Sequence, residues 1–349
     1  MDCKRFSAVL AALGATLACA EASAPLPPAV EVILLVHQGP ATVTIIPVSS
    51  PGTQTSIPLG GAGAKPTSLS ARNGWAIVPL GDDPEAAVLD LRASQVTRLV
   101  PLPPNSGATG AAIVDDSIAY VANPNRNSVT RINYRTGDTA SLAVGATPKA
   151  VVFTRGKVFV LNANLNGAAP AGPSWISVVD PVTNRLASGV DSISLPLPGN
   201  ASHGDVAQDG LLYVMNAGPA DGTTDSRLSL VDPVGREELG NFKGFGNDAG
   251  ALANNGAGRL FISSRSQGLM VFDQINRQVV RGAGNGVPIA DNSGVAVDGD
   301  GRIYVVESGA CAGAAPGRLH ILRRNLTEAR VVDVGSCPVA AVITEIPPQ

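Results

Sequence analysis

This chain has little of what most enzymes use. Its 349 residues include only three histidines, and charged and aromatic residues make up 15% and 4%. It has no Gly-x-Ser-x-Gly elbow, no His-Glu-x-x-His zinc helix, no Cys-x-x-Cys pair and no P-loop. Their absence removes the best-marked nucleophile, zinc, redox and nucleotide sites. Asp298-Gly299-Asp300-Gly301 mimics the start of a calcium loop, but it lacks the downstream Glu and reads as a tight turn. No long Lys/Arg run occurs and the net charge is −3, so the electrostatic footprint of a nucleic-acid binder is missing. The apolar stretch Phe6 to Leu17 is too short to span a bilayer. Glycine and proline are plentiful instead, at 39 and 27, which is a turn-rich all-β composition.

Lys4 and Arg5 followed by that apolar stretch have the form of an export signal. It ends at Thr16-Leu17-Ala18-Cys19, which resembles the lipobox of bacterial lipoproteins. The resemblance implies a signal peptide over 1–18, cleavage before Cys19 and lipidation of Cys19. Plain secretion, with cleavage at a site such as Ala22-Ser23-Ala24, is the alternative. Residues 19–29, with Pro25-Leu26-Pro27-Pro28, then form a short stiff tether, and 30–346 form the folded domain. The expected location is the cell envelope, lipid-anchored, periplasmic or secreted. Cys311 and Cys337 remain, and in an oxidising compartment a leftover pair reads first as a disulfide, with two unpaired buried thiols as the alternative.

Seven short apolar strands end in the same register. They close on Leu35-Val36-His37-Gln38, Ile77-Val78-Pro79-Leu80, Tyr120-Val121-Ala122-Asn123, Phe159-Val160-Leu161-Asn162, Tyr213-Val214-Met215-Asn216, Phe261-Ile262-Ser263-Ser264 and Tyr304-Val305-Val306-Glu307. Successive steps are 42, 43, 39, 54, 48 and 43 residues. Such a period of short strands predicts an all-β, seven-bladed β-propeller with four-stranded antiparallel blades. Each quartet ends the second strand, b, of a blade. Small-residue a strands precede them at 66–71, 109–114, 148–153, 204–207, 249–253 and 293–297. Alternating c strands follow at 41–46, 86–91, 129–133, 175–180, 227–232, 269–273 and 318–322. The first b pattern lacks an a strand, and Pro338 to Thr344 is an a strand with no b strand after it. Pairing the two closes the ring and removes its open edges.

Tyr120-Val121-Ala122-Asn123, then Asn127-Ser128-Val129, then Val144-Gly145-Ala146-Thr147-Pro148 resemble the YVTN-type propeller repeat. Blades three to five carry the pattern well. Gly294-Val295-Ala296-Val297-Asp298-Gly299-Asp300-Gly301-Arg302-Ile303-Tyr304-Val305, in blade seven, is closer to the NHL-type repeat. The resemblance implies a seven-bladed propeller of the kind found at bacterial surfaces, without one shared activity.

In this topology the b–c and d–a connections share one face. The longest b–c connections, 162–174, 216–226 and 307–317, all decorate that face, which marks it for binding against the alternative of neutral loop growth. Polar residues gather there where the chain enters the a strands: Lys149, His203, Asp205, Asp248, Asp291 and Asn292. The b-strand ends add Asn123, Asn162, Asn216 and Glu307. Such a set could hold Ca²⁺, another divalent cation or an oxygen-rich ligand, or could simply cap turns. The expected role is binding of an envelope protein or small ligand by a monomeric scaffold, without catalysis. The alternative is a metal-dependent lactonase resembling regucalcin or gluconolactonase. That resemblance is weakened at Pro338-Val339-Ala340, where the family places a Glu.

Overall fold

The structure, a computed structural model, describes residues 28–348 apart from 62, 310 and 312–314. The signal peptide, Cys19 and most of the tether lie outside the described residues. Among the described residues no helix is long and apolar enough to cross a membrane.

Seven antiparallel sheets follow one another around a ring. The b strands are Val30–His37, Trp75–Pro79, Ile118–Asn123, Lys157–Asn162, Leu212–Asn216, Arg259–Ser264 and Ile303–Glu307. They read as near-continuous apolar runs because both of their faces are covered. In Val30–His37, Ile33 and Leu35 pack against blade 7, while Val32, Leu34 and Val36 pack against blade 2. The same division recurs at every junction, giving seven interfacial cores rather than one. Each fully buried Val, Leu or Ile contributes roughly 1.5–3 kcal/mol, so the b strands together with their paired c strands carry most of the packing.

The ring closes as the unpaired strands require. Pro338–Ile346 runs antiparallel to Val30–His37, from Val30 opposite Ile346 to His37 opposite Pro338. Blade 1 therefore takes its a strand from the C-terminus and its other three from the N-terminus. A Cys311–Cys337 disulfide joins the b–c connection of blade 7 to the start of the closing strand.

The a strands of blades 2 and 3, Ser70–Arg72 and Ala111–Ile113, are shorter than the sequence pattern suggests. In blade 3 the ladder continues as a bulge: Thr109 N–H donates to Ala122 O, and Ala122 N–H to Gly110 O. Bulges recur at the start of the a strands in blades 4 to 7. The residue just before strand a is left-handed in five blades: Thr147, Asn200, Asp248, Asp291 and Cys337 all have φ between 46° and 61°. Asn and Asp tolerate that conformation better than most side chains, so three of these five positions have a backbone reason for their residue type.

Candidate functional site

The a-strand bulges leave a residue out of the ladder on the face that carries the b–c and d–a connections. In blades 4 to 7 and blade 1 these residues are Lys149, Ser202, Gly250, Ser293 and Val339. Hydroxyls at the bulges of blades 3 and 7 tie neighbouring blades together: Thr109 Oγ1 donates to Lys149 O at 2.8 Å, and Ser293 Oγ donates to Pro338 O at 2.9 Å.

Blade 6 has only Gly250 at this position, and there the wall opens. A cavity of about 370 Å³ lies off-axis at the mouth, lined by Gln38, Thr67, Asn200, Ser202, His203, Asp248, Gly250, Ser263, Arg265, Asn292 and Ser293 among others. A smaller cavity of about 180 Å³ continues down the channel between the small a-strand residues Gly110, Ala111, Ala150, Gly204, Ala251 and Ala340. His203 lines both cavities and stands at the neck between them. A Cβ placed on Gly250 would lie 3.8 Å from His203 Cε1 and 3.1 Å from Ser263 Oγ, so any larger side chain there narrows the mouth.

The imidazole of His203 bonds Ser202 Oγ through Nδ1 at 3.0 Å. Its accessible surface faces the channel, enclosed by the inner strands. That enclosure, with the Lys149 charge beside it, lowers its pKa to about 4, leaving the ring neutral at physiological pH. Lys149 sits behind the cavity wall and donates to Asn200 Oδ1 at 2.9 Å, while Asn200 donates to Gly218 O at 2.8 Å. Burial lowers the Lys149 pKa. No carboxylate pairs with Lys149 or Arg265 among the described residues.

Of the residues singled out in the sequence, His203, Asp248 and Asn292 line the mouth, and Lys149 backs it. The others are held elsewhere. Asp205 points between blades 5 and 6, where Oδ2 accepts from the backbone and side chain of Asn254 at 2.7 and 2.8 Å. Burial raises its pKa despite those bonds. Asp291 is exposed at the rim, and its carbonyl accepts from Ser308.

Asn123, Asn162 and Asn216 are fully buried inside their own blades. Their amides donate to c-strand hydroxyls: Asn123 to Thr130 at 2.9 Å, Asn162 to Ser177 at 3.0 Å and Asn216 to Ser229 at 2.9 Å. Glu307 occupies the same place in blade 7, bonded by Arg318 and by His320 Nε2. Side chains of strand b alternate between the two faces of the blade, so its last residue lies on a blade face beside strand c rather than facing the axis. Among the described residues, no three His, Cys, Asp or Glu side chains come together as a metal ligand set.

Asn200, Ser202, Gly250 and Arg265 are mouth residues that the sequence pattern did not mark. The a-strand bulge carries the signal for Ser202 and Gly250, because it shifts the alternation by one residue. Arg265 follows the short b strand end of blade 6, where no insertion draws attention to it.

No family model matches the chain, and no curated protein does. Among solved structures it is similar to a chain of Kuenenia stuttgartiensis hydrazine synthase, at 13% identity and a TM-score of 0.64. The match covers 83% of this chain and 97% of that one. At that identity the likeness is one of fold. Fold and topology together define the class: a seven-bladed β-propeller closed by its C-terminal strand.

Proposed function

We propose that this protein is an exported, non-catalytic binding propeller that takes a small polar ligand at the mouth of its channel. The observation that carries the reading is the cavity of about 370 Å³ opened by Gly250, which lies on the face where the longest b–c connections stand. Its size falls at the low end of small-molecule sites. Its lining is rich in hydroxyl, amide and backbone groups that can orient a ligand, and among the described residues no three His, Cys, Asp or Glu side chains come together. The Cys311–Cys337 bond supports residence in an oxidising compartment, in keeping with the export signal read from residues 1–18. The bonded Asn123, Asn162 and Asn216 support a YVTN-type repeat in blades 3 to 5, because they give its Asn a structural role.

The test is a thermal-shift screen of a panel of small neutral, acidic and basic metabolites against wild type and Gly250→Leu. Compounds that raise the melting temperature of wild type and not of Gly250→Leu support the reading. A panel with no hit on wild type, or hits indifferent to Gly250→Leu, rejects it.

A further inference from the structure

The charges at the mouth are unevenly satisfied. Asp291 is exposed at the rim, and the cavity lining holds one carboxylate, Asp248, whose Oδ1 already accepts from Ser264 Oγ at 2.6 Å. Against it stand two cations with no acidic partner among the described residues, the exposed guanidinium of Arg265 and the half-buried ammonium of Lys149. A half-buried ammonium satisfied by a single amide oxygen retains donor capacity, because Lys carries three N–H groups. Arg265 also lines a neighbouring cavity at the blade 6 rim, so its fork stands at the edge shared by both openings. Ser202 adds a hydroxyl to the same wall, whereas the Ser293 hydroxyl already donates to Pro338 O.

We propose that the mouth selects a small oxyanion-bearing ligand, a carboxylate or phosphate group, with Arg265 gripping the group from the rim and Lys149 attracting it from behind Asn200. The proposal rests on the binding role argued above and names the chemistry of its ligand. Arg suits this task because its planar fork matches two oxygens at once, while Lys acts as a point charge. A neutral His203 at the neck keeps an acceptor available for a hydroxyl on the ligand and adds no third positive charge deeper in the channel.

Isothermal titration with succinate, citrate and inorganic phosphate tests the proposal on the full chain, using wild type, Arg265→Gln, Lys149→Met and Asp248→Asn. Melting curves establish that each variant is folded. Saturable binding of a carboxylate or of phosphate to wild type is expected, weakened about tenfold by Arg265→Gln. Asp248→Asn should tighten it by removing the opposing charge, and added salt should weaken it. Binding by the carboxylates alone or by phosphate alone identifies the oxyanion. Titrations with no saturable binding, or binding that Arg265→Gln and Lys149→Met leave unchanged, overturn the proposal. If uncharged compounds shift wild type but not Gly250→Leu while these anions fail to bind, the mouth is a binding site and only its oxyanion chemistry is rejected.

Discussion

Asn162 donates its side-chain amide to Ser177 Oγ at 3.0 Å across strands b and c of blade 4. The same amide also reaches Trp175 O at 3.1 Å, so one residue fixes the end of strand b against the start of strand c. Thr44, Thr130, Ser229 and His320 stand at the equivalent c-strand place in blades 1, 3, 5 and 7 and bond the corresponding b-strand ends.

Replacing Asn162 by Ala should therefore act on stability and not on the mouth. The change strips a buried acceptor, Trp175 O, of a donor and should cost about 1–3 kcal/mol. Urea denaturation measures the loss, and ligand affinity in the folded protein should stay as in wild type. An unchanged denaturation midpoint with lost binding would make Asn162 a site residue after all.

Ring closure makes a second prediction. Deleting Pro338 onward removes the whole pairing with Val30–His37 and exposes the core shared with Val339, Ala340 and Val342. The truncated chain should unfold or oligomerise. The disulfide is a smaller effect: constraining its 26-residue separation contributes about 3 kcal/mol. Reduction should thus lower the melting temperature while leaving a folded monomer. Light scattering and calorimetry separate the two cases. A monomeric truncation with an unaltered melting temperature would contradict the closure.

Histidine titration gives a third. His37 is buried, with Nδ1 against Ser336 O at 3.1 Å and Nε2 against Thr44 Oγ1 at 3.0 Å. A carbonyl can only accept, so Nδ1 carries the proton and Nε2 accepts from the Thr44 hydroxyl. Burial lowers its pKa, as enclosure lowers that of His203 to about 4. Below about pH 6.5 the unfolded chain takes up these protons first, so the stabilisation is complete above 6.5 and falls as pH drops toward 4. His37→Gln together with His203→Gln should flatten the stability curve over that window. A curve as steep as wild type would refute the neutral assignment.

Glu307 makes a second acid-sensitive contribution of the same sign, here from a charged rather than a neutral group. Burial alone would raise its pKa, but hydrogen bonds from Arg318 and His320 outweigh it and hold the carboxyl below its usual range. Its stabilisation is present above the unfolded carboxylate pKa of about 4.3 and disappears as pH falls through the folded value. Glu307→Gln should cost roughly 2 kcal/mol at pH 7 and much less at pH 3. An equal cost at both values would show that charge plays no part.

The fold was legible because propeller blades repeat one pattern with two distinct periods. Continuous apolar b strands and small a strands set the blade phase, and the orphan strands at 30–37 and 338–346 then had one way to pair. The site was legible only in part. His203, Asp248 and Asn292 were legible because polar residues gather where the chain enters the a strands. Asn123, Asn162, Asn216 and Glu307 share the mouth's end of the blade, but side-chain direction depends on strand alternation and bulges that a linear reading cannot place. Gly250 matters by lacking a side chain, and Arg265 opens a short b–c turn with no insertion, so neither carried a mark in the sequence.

The central claim is that one face of the ring binds, at the mouth that Gly250 opens. Hydrogen–deuterium exchange, with and without a saturating amount of the compound giving the largest thermal shift, tests it most directly. Protection is predicted in segments 200–204, 217–220, 248–251, 263–268 and 292–294, with the c–d turns at 180–185 and 232–237 unaffected. Protection at those c–d turns, or none at the mouth, would contradict the account.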